Sequence, residues 1–317
     1  MKRKSSPNRS LTFATALEGY WLARRSNFSP ATVRDYSVTF VRFEAYIGDR
    51  PLVAITAADI QRFLDTTRDE RKLAKKTVCN MWVALSSFYT WAETELHIDH
   101  AIRGHVQQPE YRSPAIQIYT EVEIKAMLGA CLETAPWQTR RGKATRSPRP
   151  ESLRDQAIIT TLVDTGVRAS ELCDFQRSDY IQTQGRLLVR HGKGDKQRVV
   201  FLGQAGRRTL WRYLVTRPDI QPADFIFATK TNQRMERNNL GDTLKRIGQR
   251  AGVLGVTVHR FRHTFAVNFL RNGGNVLELQ EILGHERMET VRIYARLAEV
   301  DLAAAQRRAS PADRWRL

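Results

Sequence analysis

No apolar run in this sequence approaches the ~20 residues that cross a bilayer, which argues against a membrane-spanning helix. Cysteine is scarce. Cys79, Cys131 and Cys173 stand far apart, with neither CxxC nor disulfide-framework spacing, and are expected as buried thiols in a reducing compartment. The N-terminal "MKRKSSPNRS" leads into no signal-type apolar core, so a cytoplasmic location is expected. Acidic residues are also in short supply. Asp and Glu total 33 against 51 Lys and Arg, a formal net charge of +18. A chain this basic repels itself until a polyanion neutralises it, and a nucleic-acid backbone is the expected partner. An anionic membrane surface is the lesser alternative. Apolar residues are not lacking: 42% hydrophobic and 26% charged residues describe a folded globular protein. The length of 317 residues suits two domains, each with its own core.

The chain divides by pattern. Residues 1–10 form a basic tail, and residues 11–100 read as helices only. In "SPATVRDYSVTFVRFEAYIG" Ser29 is the expected N-cap, Pro30 the first helical residue and Gly48 the stop. Val33, Tyr36, Phe40, Phe43 and Ile47 make one apolar stripe between them. Thr56 caps a shorter helix, and a longer one from Lys75 buries Val78, Met81, Trp82, Leu85, Phe88 and Tyr89. A small helical unit follows. Residues 101–118 lose this periodicity, carry Gly104, Pro109 and Pro114, and read as a linker. Residues 119–317 form the second domain, opened by a Thr120–Glu123 capping box. Its basic stretch 137–150 reads as a long exposed loop. "YIQTQGRLLVRHGKGDKQRVVFL" alternates around two turn signals and predicts a three-stranded antiparallel sheet. The rest is helical, so the fold class is mainly α with a small antiparallel β-sheet.

The stretch "HRFRHTFAVNFL", His259–Leu270, concentrates chemistry. With Thr257 as N-cap, His259 and Arg262 share a face at i and i+3 and lean toward the helix N-terminus. Free N–H groups and the helix dipole favour an anion there. An arginine that grips two oxygens beside a histidine that exchanges a proton suits phosphate. The plain alternative is a basic DNA-facing helix with a structural histidine. His259 and His263 at i, i+4, with His285, also have metal-ligand spacing. However, Arg260 and Arg262 would stand beside the cation and no acidic residue occupies the HExxH position. No metal or other cofactor is expected, and His263 is assigned to a hydrogen bond within the core. Elsewhere "DTGVRASEL" sets Arg168 at a helix mouth with Glu171 at i+3, and "HGKGDKQR" puts Lys193 on a hairpin tip. "LGHERMETVRIYARL" carries His285 and Tyr294, the latter on the stripe Met288, Val291, Tyr294, Ala295 and Ala298.

In that order and spacing, "TGVRASEL", "GKGDKQR", "HRFRHTFA", "LGH" and "IYARL" resemble the successive boxes of the tyrosine recombinases, the phage-type integrases and Xer-type resolvases. The resemblance covers nearly the whole chain. It implies a helical, SAM-like core-binding domain and a catalytic domain that together clasp a duplex. It also implies roles. Arg168 and Arg262 would clamp the scissile phosphate, and His259 and Lys193 would serve proton transfer. His285 would bond the phosphate or the nucleophile. Tyr294 would attack to give a 3′-phosphotyrosine, and Glu171 would support the site. Cationic side chains then replace the metal ion of other phosphoryl transferases, and the stored bond energy removes any need for ATP. The implied partners are double-stranded DNA with specific sites and a homotetramer in the synapse. Lys75, Lys76 and Thr77, with Arg140, Arg141 and Lys143 of the basic loop, are candidate DNA contacts. A mobile-element role is favoured over chromosome dimer resolution, and type IB topoisomerase-like relaxation or a non-catalytic regulator are the other readings.

Overall fold

The computed structural model describes residues 10–111, 114–133, 137–138, 144–145, 147–190, 197–284, 288–298, 306 and 310–315. The chain divides into two compact units, Met1–Pro114 and Ala115–Leu317.

The first unit contains α1 (Phe13–Arg24), α2 (Pro30–Ile47), α3 (Ala57–Glu70) and α4 (Lys75–Glu95). Local chemistry starts three of them. Thr12 and Ser29 accept the N–H groups of Thr15 and Thr32, Pro30 opens α2, and Thr56 and Asp59 cap each other. α2 stops at Gly48, whose φ of +63° suits a residue without a side chain. The apolar stripes converge on an aromatic core. Phe13 lies 5.1 Å from Phe43 and 4.6 Å from Phe88 between ring centres. Such edge-on and tilted contacts add to the apolar burial that holds the helices together. Ile98, Ile102 and Val106 enter the same core, and the Trp82 indole donates to the Val106 carbonyl at 3.2 Å. The stretch read as linker from residue 101 thus begins as packed chain. Apolar residues four apart dock it despite the neighbouring glycine and prolines.

The second unit opens with α5 (Glu121–Ala130), started by the Thr120–Glu123 box. Within the stretch expected as a loop, β1 (Trp137–Gln138) and β2 (Ala144–Thr145) pair antiparallel, Trp137 opposite Thr145. The run of Arg and Lys conceals this short alternation in the sequence. Helices α6 (Ser152–Thr165) and α7 (Ala169–Asp174) follow. The sheet then has the order β3 (Tyr180–Ile181), β4 (Arg186–Val189), β5 (Arg198–Phe201), all antiparallel, with Leu187 opposite Val200. Next come α8 (Gln204–Val215), α9 (Arg237–Ala251), α10 (Val258–Arg271), α11 (Val276–Leu283), α12 (Met288–Leu297) and α13 (Pro311–Trp315).

Helix α10 organises this unit. Phe261 is buried in the main core with Leu162, Leu172 and Val200. One turn on, Phe265, Ala266 and Leu270 belong to a second cluster with Leu279, Leu283, Val291 and Tyr294. The two apolar faces fix the helix on both sides and leave its first turn to carry polar side chains. Tyr119 secures that turn from outside the helix. Its N–H donates to the Thr264 hydroxyl at 2.8 Å, and its ring lies under the Arg260 guanidinium, 4.0 Å away.

Candidate active site

Thr257 caps α10 as its sequence predicts, accepting the Arg260 N–H at 3.1 Å. His259 is therefore exposed in the first turn and Arg262 lies one turn on, 2% exposed. Arg262 donates to the carbonyls of Gly166 at 2.7 Å and Leu283 at 2.6 Å, joining the ends of α6 and α11. Burial, then the charges of Arg168 and Arg198, lower its pKa to about 10, so it stays protonated at neutral pH.

Arg168 reaches the same place from the start of α7. α6 ends at Gly166 in the left-handed conformation, φ +61°, and a Cβ there would meet the Phe265 ring at 2.4 Å. Only glycine lets α6 turn so tightly against α10. Arg168 follows two residues later and donates to Glu171 Oε1 at 2.7 Å and to the Gly284 carbonyl at 3.3 Å. Glu171 also accepts both terminal nitrogens of Arg198 at 2.8 Å. Burial raises the Glu171 pKa, but the bonds and charge of Arg198 and then Arg168 outweigh it and hold the carboxylate down at about 2. Arg198 Nε donates in turn to the Ile282 carbonyl at 2.6 Å. Three arginines thus surround one carboxylate, and the cluster keeps a net positive charge suited to a bound phosphate.

His259 faces this cluster. Local desolvation, followed by the charges of Arg262 and Arg168, lowers its pKa and favours the neutral imidazole. A neutral ring beside fixed cations can accept or relay a proton without adding charge.

Tyr294 makes its side-chain hydrogen bond to a histidine. It is 2% exposed, and its hydroxyl hydrogen-bonds to His263 Nδ1 at 2.9 Å. Burial raises the phenol pKa, and Arg262 counters only part of that. The structure therefore gathers Arg168, Glu171, His259 and Arg262 and sets Tyr294 beside them on His263. The core hydrogen bond expected of His263 is the one to Tyr294. Lys193 and His285 lie outside the described residues, as do Arg140, Arg141 and Lys143. Lys75, Lys76 and Thr77 form the first turn of α4 in the first unit, the two lysines exposed. That helix has no side-chain N-cap, since Ala74 stands at the position.

Two participants were absent from the sequence-based site. Arg198 ends the "GKGDKQR" box, and its strand position faces it toward α7. His263 was visible as the i+4 neighbour of His259, but nothing local couples it to Tyr294.

Residues 120–300 match the model of the phage integrase family, and residues 22–98 match the phage integrase N-terminal SAM-like domain. A tyrosine recombinase XerC from Lactobacillus leichmannii is 30% identical, over 92% of this chain and 96% of that protein. A tyrosine recombinase XerA from Thermococcus kodakarensis is 28% identical, over 89% and 90%. Among solved structures, the Tn1549 transposon integrase in complex with transposon right end DNA shares the fold. Its TM-score is 0.72 and its identity 18%, over 95% of this chain and 100% of that one. A lambda integrase tetramer bound to a Holliday junction is similar at TM-score 0.71 and 19% identity, over 91% and 78%. With its catalytic boxes in order and both family domains matched along its length, the chain belongs to the phage integrase family, the tyrosine recombinases that cut and rejoin DNA.

Proposed function

We propose that this enzyme is a site-specific recombinase whose nucleophile is Tyr294. The phenol oxygen forms a bond to the scissile phosphorus as the bond to the 5′ oxygen breaks, giving a 3′-phosphotyrosine and a free 5′ hydroxyl. The phenol gives up its proton and the leaving oxygen gains one. Religation reverses both transfers on a second strand. The observation that carries this reading is the gathering of Arg168, bonded to Glu171, with Arg262 and His259, beside Tyr294. Arg168 and Arg262 hold the non-bridging oxygens and stabilise the charge that builds on phosphorus. His259 and Lys193 move protons, Lys193 toward the leaving oxygen, and His285 bonds the phosphate or the phenol. Glu171 keeps the arginines in place. The reaction as read needs neither metal nor ATP.

Residues 11–100 are assigned to core DNA binding and 119–317 to catalysis; of the expected linker 101–118, Ile102 and Val106 pack with the first unit. Lys75, Lys76 and Thr77 at the uncapped start of α4 suit phosphate contact. Arg140, Arg141 and Lys143, between the paired strands β1 and β2, are assigned the same task. A tetramer on two sites is the expected working form; the lambda integrase structure named above is a tetramer bound to a Holliday junction.

The favoured setting is a mobile element, on the basic insertion at 137–150. Xer-type chromosome resolution is the second reading, and the near full-length similarity to XerC supports it. Covalently trapped DNA, recovered and sequenced, identifies the site. Two copies of that site on one plasmid should then yield recombinant circles in EDTA and without ATP. Recovered sequences at an element boundary support the first setting, and one chromosomal locus supports the second. Relaxation of a plasmid lacking any such site, without recombinants, would replace both with topoisomerase-like action.

A further inference from the structure

His263 takes no part in the arginine–carboxylate cluster, yet it holds the hydroxyl that the reaction must set free. Its Nδ1 lies 2.9 Å from the Tyr294 oxygen, with the ring centres 5.6 Å apart. The same imidazole meets His259 in a T-shaped contact, ring centres 4.2 Å apart. Around Tyr294 the cluster of Phe265, Val267, Leu283, Val291 and Ala298 closes off solvent.

A tyrosine in this position cannot attack a phosphodiester. Its hydroxyl is engaged, its ring is enclosed, and burial keeps its proton in place. Nor can His263 remove that proton: burial, His259 and Arg262 hold its pKa at about 4, far below that of the phenol. A base so weak secures the hydroxyl without ionising it.

We propose that His263 is a positioning residue that holds Tyr294 in a resting place, and that α12 must break this hydrogen bond to deliver the nucleophile to the phosphate. The proposal rests on Tyr294 being the nucleophile.

Nitration of the full-length, DNA-free protein by tetranitromethane, mapped by mass spectrometry, tests it. His263→Phe keeps a ring but removes the nitrogen, and His263→Asn returns an amide atom close to the place of Nδ1. Tyr294 is expected to nitrate about 5-fold faster in H263F, the loss of one hydrogen bond, and at the wild-type rate in H263N. Tyr89 and Tyr119, buried in the first and second units, should stay slow in all three proteins. A Tyr294 rate in H263F equal to wild type, or H263N as fast as H263F, would overturn the proposal. Where H263F opens the core, seen as fast Tyr119, the imidazole 15N shifts of the wild type decide instead. A His263 Nδ1 signal that does not move on Tyr294→Phe overturns the proposal, and one that moves supports it. Neither measurement involves DNA cleavage, so their failure leaves the recombinase reading intact. Conversely, a covalent link formed elsewhere would not remove the hydrogen bond.

Discussion

Glu171 and Arg198 form a two-pronged ion pair, both nitrogens of the guanidinium 2.8 Å from the two carboxylate oxygens. The pair joins β5 to α7, and the Arg198 Nε bond to the Ile282 carbonyl carries the link to the end of α11. Glu171 is 2% exposed as a side chain, so its charge is tolerated only because Arg198 and Arg168 neutralise it. Glu171→Gln is expected to cost about 3 kcal/mol in urea unfolding and to release Arg168 from its place. Covalent attachment to DNA should fall at least about tenfold, measured as the single-turnover rate of protein–DNA adduct.

Two glycines offer a paired test of the α6–α10 contact. Gly166 and Gly252 both have positive φ, +61° and +70°, but a Cβ meets the Phe265 ring at 2.4 Å in the first and no atom within 4 Å in the second. Gly252→Ala should cost only the conformational strain, about 1 kcal/mol. Gly166→Ala adds overpacking, about 3 kcal/mol in all, and shifts the carbonyl that Arg262 grips. Thermal denaturation of the two variants side by side checks the difference.

Arg262 spans two carbonyls with one planar group, and lysine cannot reproduce that fork. Arg262→Lys is expected to lower the cleavage rate about 10²-fold while leaving DNA affinity within a few-fold of wild type. A comparison of gel-shift affinity with adduct formation separates the two effects.

Acid should weaken the second unit through His263. Its pKa is about 4 in the fold against 6.5 for the free side chain, with His259 and Arg262 on its own helix and Tyr294 on α12 facing it. The unfolded chain therefore takes up the proton first as pH falls. The stability is complete above pH 6.5 and is lost toward pH 4, about 2 kcal/mol after allowance for partial exposure. His259, lowered in the same direction, adds to the trend. The unfolding free energy of wild type should fall more between pH 7 and pH 5 than that of His263→Asn, by about half of this amount, read from urea unfolding at each pH.

Lys75 and Lys76 project from the first turn of α4, Lys76 also lying 5.0 Å over the Tyr111 ring. If each meets one phosphate, Lys75→Ala and Lys76→Ala reduce the slope of log K against log salt by about 1 apiece. Salt titrations of DNA binding read this directly. Unchanged slopes would remove these residues from the interface.

Much of the fold was legible because its signals are local. Thr56, Thr120 and Thr257 cap helices at the positions that their sequence contexts predict, and the three strands alternate as their residues do. The shared placement of His259 and Arg262 was legible for the same reason, since helical spacing alone puts both on one face. The docking of Ile102 and Val106 was not, because helices elsewhere in the chain supply the surface they cover. Nor was the β1–β2 pairing, hidden within a charged stretch. The contact between His263 and Tyr294 joins residues 31 positions apart on different helices, so only tertiary packing creates it. The burial of Tyr294 itself followed from its apolar stripe; its partner did not.

The central claim, that Tyr294 is the nucleophile, is tested most directly by identifying the residue bound to trapped DNA. A suicide substrate built from recovered site DNA is incubated with the enzyme, digested with nuclease and protease, and analysed by mass spectrometry. The expected result is a nucleotide joined through its 3′ phosphate to the Tyr294 peptide, absent from Tyr294→Phe. A nucleotide on another residue, or covalent DNA that persists in Tyr294→Phe, would contradict the account.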